Sequence, residues 1–349
     1  MGVFNHAEFD NHESLHFFQD QATGLKAIIA VHSTALGPAA GGTRRWTYAS
    51  DADAIKDVLR LSRGMTYKNA VAGLRFGGGK AVILADDKSP KSPELFRAFG
   101  RAVNSLGGRY VTAEDVGCSV DDMRSVREET EFVSGLPHSE GDAGGDPSPW
   151  TALGCYEGIL AAIKVRLDRD SLDGVSVAVQ GVGHVGLFLC RLLHEAGAKL
   201  LISDVNRDNI KMVTDEMPAT VVPPAELLFA DADVLAPCAL GNILTSTTIP
   251  KIKAKIIAGA ANNQLATARD GARLAKRDIL YAPDYVINAG GIISVAGEYY
   301  GTSSEEQVRA DVGRIKDRLQ EIFEAARANG RPTNDLADEL ARNLVAAGR

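Results

Sequence analysis

The chain has 349 residues, a length that favours two domains over one, and its 45% apolar and 24% charged residues are the balance of a globular protein. A formal charge of −7, with no run of Lys or Arg longer than two, argues against a nucleic-acid groove or an anionic membrane surface. No apolar stretch reaches the roughly 18–20 residues of a membrane span, and the first residues lack the basic flank and apolar core of a secretory signal. Gly2 is not followed by the Ser or Thr at position 6 that myristoylation needs; His6 stands there. Cys118, Cys155, Cys190 and Cys238 form no C-x-x-C pair and read as reduced thiols of a cytoplasmic protein. His12 and His16 are spaced to share a helix face, but nothing nearby completes a metal site, so both read as structural and no metal is expected.

Taken in chain order, LHFFQD and LKAIIAVHST are apolar runs about a Gly-containing turn, which suggests a hairpin or adjacent strands. Asp51 to about Ala72 carries apolar residues at helical spacing, among them Ile55, Leu59 and Met65. FGGGK breaks that helix, and AVILAD follows as a strand. Ser92-Pro93-Glu94 starts another helix, RYVTAED is a strand running into a loop, and Ser119 with Asp122 makes a capping box. Residues 135–150 are dense in Gly, Pro, Ser and Asp, the composition of an interdomain linker or an active-site rim. A helix from about Thr151 to Leu167 leads into VSVAVQG, KLLISD, ATVV, DVLAPCA, KIIAGAA and ILYAPD. Such short apolar strands alternating with helical stretches predict a parallel, doubly wound sheet. Two charged amphipathic helices, 305–329 and 332–347, close the chain.

Gly181-Val182-Gly183-His184-Val185-Gly186 is a G-x-G-x-x-G, weak if taken alone. Here it follows the strand VSVAVQ, opens an apolar helix, and precedes Asp204, which ends the next strand. That context predicts a dinucleotide site rather than a plain glycine turn. The glycines let backbone amides approach a pyrophosphate at a helix N-terminus. Asp204 suits a ribose 2′-hydroxyl and repels a 2′-phosphate, so NAD is the expected cofactor, with Arg207 close enough to weaken the preference.

Chemistry is then expected from the N-terminal half. Lys80 follows three glycines, where a ligand can come close, and precedes an apolar strand, where loss of water would favour the neutral amine; taken alone, it reads equally as a solvated surface lysine. The stretch is not a phosphate-binding P-loop, because Leu74 stands at the first glycine position and Ala81 replaces the Ser/Thr. No histidine occurs between His32 and His138, which leaves a hydroxy-acid dehydrogenase without its usual base.

The segments GPAAGGTRRW (37–46), GMTYKNAVAGLRFGGGKAV (64–82), YVTAEDVG (110–117), QGVGHVG (180–186), APCALG (236–241), AGAANNQL (258–265) and APDYVINAGGII (282–293) resemble, in order and over nearly the whole chain, the leucine/phenylalanine/valine dehydrogenase branch of the glutamate dehydrogenase superfamily. The resemblance implies an α/β protein with an N-terminal α/β substrate and oligomerisation domain (1–148) and a C-terminal Rossmann-type doubly wound dinucleotide domain (149–325). It further implies a deep cleft between the two and final helices (326–349) returning to the first. Lys68 would hold the substrate carboxylate, Lys80 would activate water at the iminium carbon, and Asp115 would move protons at the amino nitrogen. Gly41 would offer a backbone carbonyl or amide, Asn262 would bridge nicotinamide and substrate, and Ala239 would lie along the cofactor. The side-chain pocket would be formed by the residue before Gly41, the segment near Ala113 and the helix opening at Gly290-Gly291. Leucine-specific relatives tend to carry a bulky residue before that Gly-Gly. Ala40 here suggests room for a phenyl ring, with Ile292 and Val295 as the wall and Met65 and Trp150 beside them. The expected activity is oxidative deamination of an L-amino acid, L-phenylalanine preferred, by a homo-oligomer with no nucleic-acid or membrane partner. Rivals are a leucine or valine dehydrogenase, a hydroxy-acid dehydrogenase and a non-catalytic NAD-binding protein. A glutamate dehydrogenase would need a cation in the pocket, and Ala40, Ile292 and Val295 offer none.

Overall fold

The structure, a computed structural model, describes residues 2–85, 90–136, 146–301 and 304–348. The chain divides into two compact units: Met1–Asp146 with Val295–Glu305 and Ala341–Arg349, and Pro147–Ser294 with Glu306–Leu340. Most of the Gly- and Pro-rich stretch at 135–150 lies outside the described residues. Among the described residues no helix is long and apolar enough to cross a membrane.

The first unit is built on a mixed sheet of β1 (Ser14–Asp20), β2 (Leu25–Ser33), β3 (Ala39–Ala40), β4 (Thr43–Trp46), β5 (Gly77–Leu84) and β6 (Tyr110–Val111). Its order is β1-β2-β5-β3-β6, with β4 also paired to β5. Strands β1, β2 and β5 are antiparallel neighbours, whereas β3, β4 and β6 join in parallel. Helix α1 (Asp51–Val71) covers one face, and α2 (Pro93–Asn104) and α3 (Val120–Arg127) cover the other. Side-chain alternation divides the strands between the two cores. Leu25, Ala27, Ile29, Val31, Ala81 and Ile83 meet Phe96, Phe99, Met123 and Val126, while Ile28, Ala30 and Val82 meet Ala54 and Val58 of α1. Phe96 and Phe99 have no exposed surface, and burying each contributes up to about 3 kcal/mol. Ser50, Ser92 and Ser119 cap the three helices, Ser119 through the expected capping box with Asp122.

One expectation is corrected here. The FGGGK run does not stand in a break before the strand; its three glycines and Lys80 are the first half of β5. The cause is helix α1: a β-carbon at Gly78 would stand 2.1 Å from the Thr66 nitrogen and hydroxyl, so the helix lies directly on bare strand. His16 is likewise in β1, so it shares no helix with His12.

The second unit begins with α4 (Ser148–Leu167) and carries six parallel strands: β7 (Ser176–Gln180), β8 (Lys199–Ser203), β9 (Ala219–Val221), β10 (Val234–Pro237), β11 (Ile256–Ile257) and β12 (Leu280–Tyr281). Between them run α5 (His184–Glu195), α6 (Arg207–Glu216), α7 (Pro224–Leu227) and α8 (Ala268–Lys276), and α9 (Asp284–Ile287) follows β12. Every pairing is parallel and the order is β12-β11-β10-β7-β8-β9. Counted from β7, that is the 3-2-1-4-5-6 order of a dinucleotide fold, with its reversal between β7 and β10. The chain closes with α10 (Gly290–Tyr300), α11 (Glu305–Asn329) and α12 (Thr333–Ala347).

In the first unit the buried His12 and His32 rings meet edge to face, 4.7 Å apart. Burial first, then the His12 and Arg63 charges, depress His32 to about 4, against the partial pull of Asp10. The unfolded chain takes this proton near 6.5, so between the two values it binds more protons than the folded one. Stability is therefore expected to fall by up to about 3 kcal/mol as pH drops from 6.5 to 4. Urea titrations over that range check it, with His32→Gln flattening the dependence.

Candidate active site

Lys80 lies in β5 with the parity of Val82, so its side chain stands on the α1 face of the sheet. It is only 6% exposed and ion-pairs with Asp115, reached through the loop after β6. An isolated bridge of Glu114 to Thr43 and the Arg45 amide bonded to the Val116 carbonyl fix that loop against β4. Burial alone would raise the Asp115 pKa, but the Lys80 and Arg44 charges outweigh it and hold the carboxyl below its ordinary value.

Gly41 and Gly42 separate β3 from β4 and form the floor beside this pair. A β-carbon at Gly42 would stand 2.9 Å from that of Asp115, and one at Gly41 would stand 3.1 Å from Met65 Cγ. Met65, Gly41, Gly42 and Asp115 are thus brought together. Lys68 is half-buried in the last turn of the same helix as Met65. The Gly41 amide is already donated to the Val111 carbonyl, and the Gly41 carbonyl accepts from the buried Tyr110 hydroxyl at 2.5 Å. Of the carbonyl or amide expected for substrate, the carbonyl is the one that keeps a lone pair. Ala40 is buried in an apolar cluster with Phe76, Val111 and Ala296, bordered by Phe132, Tyr299 and Tyr300. Ile292 and Val295 stand three apart on α10, both half-buried. A β-carbon at Gly290 would overlap the Trp150 carbonyl, so Trp150 abuts the start of that helix, with Arg309 stacked over its ring.

In the second unit Gly181 has φ +88°, a conformation glycine adopts without strain, and Ala239 packs on it. A β-carbon at Gly186 would stand 2.1 Å from the Gly181 carbonyl, whereas at Gly183 the space is open. His184 and Val185 begin α5, whose N-cap Gly183 makes no side-chain cap bond, so the first-turn amides face that space. The Asp204 carboxylate accepts from the Val182 amide at 2.8 Å and from the Asn206 amide, tying the glycine turn to the end of β8. Arg207 is exposed at the first turn of α6. Asn262 is exposed near the end of β11, and Asn288, nine-tenths buried, donates to its carbonyl oxygen at 2.8 Å. These residues fit NAD: a bare cradle for the pyrophosphate, an oriented acid for the ribose and an anchored amide.

Sequence reasoning did not single out Arg44, Asp57, Tyr110 or Asn288. Asp57 carried a signal, a carboxylate beside the apolar stripe of α1 formed by Ala54 and Val58.

A nucleotide cradle on a doubly wound sheet, with a buried lysine–carboxylate pair on a glycine-cleared strand, defines a dinucleotide-dependent oxidoreductase. Two family models match, "Glu/Leu/Phe/Val dehydrogenase, dimerisation domain" over residues 12–132 and "Glutamate/Leucine/Phenylalanine/Valine dehydrogenase" over 201–345. The chain belongs to this family of NAD-dependent amino-acid dehydrogenases. It is 48% identical to leucine dehydrogenase of Bacillus subtilis, covering 99% of this chain and 94% of that one. It is 44% identical to phenylalanine dehydrogenase of Bacillus thermotolerans, covering 97% and 90%. The crystal structure of L-tryptophan dehydrogenase from Nostoc punctiforme, 47% identical, superposes with a TM-score of 0.86 and covers 97% of both chains.

Gly186→Ala is expected to push the Gly181 carbonyl out of the turn and weaken NADH binding at least about tenfold, a loss of about 1.4 kcal/mol. Fluorescence titration with NADH measures it; an unchanged Kd contradicts the assignment of the cradle.

Proposed function

We propose that this chain oxidatively deaminates an apolar L-amino acid, with L-phenylalanine preferred, to the 2-oxo acid and ammonia. The observation that carries the reading is the buried Lys80–Asp115 pair beside the Gly41-Gly42 floor. The chemistry that bound NAD supplies is removal of the α-hydrogen with its electron pair, which leaves the substrate as an iminium ion. Lys68 holds the carboxylate as a compact point charge. Lys80 orients and activates the water that adds to the iminium carbon, and Asp115 accepts and returns protons at the nitrogen until ammonia leaves. Asn262, held by Asn288, would contact the nicotinamide side of the bound dinucleotide, and Ala239 with the Gly181–Gly186 turn would hold its pyrophosphate side.

Support for an aromatic substrate comes from Ala40, a small residue in a cluster bordered by aromatic rings; Met65, Ile292 and Val295 are the other candidates for the apolar wall. Leucine is the second reading, favoured by the 48% identity to the Bacillus subtilis leucine dehydrogenase. Assembly as a homo-oligomer is supported by the description of the first family model as a dimerisation domain. A cytoplasmic location is the reading of four widely scattered cysteines with no C-x-x-C pair.

Initial rates of NADH formation over a panel of L-amino acids test the reading. A higher kcat/KM for phenylalanine than for leucine is expected, and Ala40→Leu should move the ratio toward leucine by roughly 10-fold or more, about 1–3 kcal/mol of discrimination. A wild-type ratio at or below one defeats the phenylalanine preference. Lys80→Ala is expected to lower kcat by roughly 10²–10⁴-fold. Full activity in that variant would remove Lys80 from the chemistry.

A further inference from the structure

We infer that Arg44 is the positioning residue for Asp115, a second cation to which the carboxylate turns when Lys80 engages water or substrate. The inference rests on the proposed role of Asp115 and adds a residue to it. Arg44 lies in β4 opposite Val82 of β5, so it emerges on the same face of the sheet as Lys80. Its Nη1 donates to Asp57 Oδ2 of α1 at 2.9 Å, and that same oxygen accepts from the Tyr48 hydroxyl at 2.8 Å. The carboxylate that holds the far end of the guanidinium is therefore itself held in place by Tyr48.

The near end of the guanidinium is not held. Arg44 Nε is buried and makes no hydrogen bond, yet it stands 3.7 Å from Asp115 Oδ2. That is too long for a hydrogen bond and short enough that a small rotation of the carboxylate closes it. The oxygen concerned is the one Lys80 already binds. Asp115 thus sits between two cations, one engaged and one held ready with an unsatisfied donor. Lys80 must release the carboxylate to work on water, and a partner fixed by Asp57 and Tyr48 then keeps the acid ionised and oriented without a large motion.

Other groups face Asp115 as well. Tyr48 and Tyr110 are pushed up by burial, and burial raises the Cys118 thiol to about 12, so all three stay neutral at working pH. Glu114 is raised by burial and by the Asp146 and Asp115 charges, which makes it the one neighbouring acid whose titration could be confused with that of Asp115.

The test is the pH profile of kcat/KM for wild type, Arg44→Met, Arg44→Lys, Asp57→Asn, Glu114→Gln and Asp115→Asn. Loss of the Arg44 charge should move the acidic limb to higher pH by roughly one unit, because the carboxylate then protonates more readily. Arg44→Lys should restore part of the shift. Asp57→Asn removes a neighbouring negative charge and frees Arg44 to reach Asp115, so it should move the limb to lower pH, and it serves if Arg44→Met does not fold. An acidic limb unmoved in the Arg44 and Asp57 variants, with rates lowered equally at every pH, would make Arg44 merely structural and overturn the inference. A limb that moves only in Glu114→Gln would overturn it too. Asp115→Asn separates the two levels. Near-wild-type turnover there would dismiss the parent reading, whereas an inactive Asp115→Asn with an unmoved Arg44→Met limb would dismiss Arg44 alone.

Discussion

At Gly78 there is no room for even one carbon between strand β5 and helix α1. That close approach is the constraint on which the first unit depends. It brings Met65 over the Gly41-Gly42 floor and places the helix face bearing Asp57 within reach of Arg44. Lys80 sits two residues further along the bare strand, where parity alone turns it to the α1 side. Any side chain at 78 would force the helix away and pull these groups apart, at a cost of roughly 1–3 kcal/mol for the overpacking itself. The lysine gains a buried location from the sheet and a counter-charge from the loop after β6, so its ammonium is paired rather than stranded.

The second unit solves a different problem with the same device. Its strand order reverses between β7 and β10, and the loops at their carboxyl ends diverge there. Gly181 and Ala239, one from each loop, touch. Absence of a side chain at Gly186 lets helix α5 start close under the turn, and Asp204 ties that turn to the next strand. Both units thus rely on missing β-carbons, each of which lets a backbone or a helix come closer than an ordinary residue permits.

The cofactor half was the more legible in the sequence because its signal is local. Strand, glycine turn, helix and terminal acid follow one another within a single stretch, and each piece has its own pattern. The β5 glycines were harder: without side chains they show no alternation, so the run looked like a break when it was the first half of the strand. Strands β3 and β4 are two and four residues long, too short for periodicity to mark. Gly41 is expected to offer a backbone carbonyl or amide to substrate, and β6 claims the amide, a pairing between segments about 70 residues apart that no local pattern announces. Arg44 escaped notice for the same reason, since its meaning comes from Asp57 on a helix and Asp115 in a distant loop.

If Lys80 and Asp115 act as one unit, their effects on catalysis cannot be independent. A double-mutant cycle on kcat/KM with Lys80→Ala, Asp115→Asn and the combined variant measures this directly. Joint action requires the combined variant to be little worse than the poorer single one. Losses that multiply, with each residue contributing its full factor in the absence of the other, would contradict it.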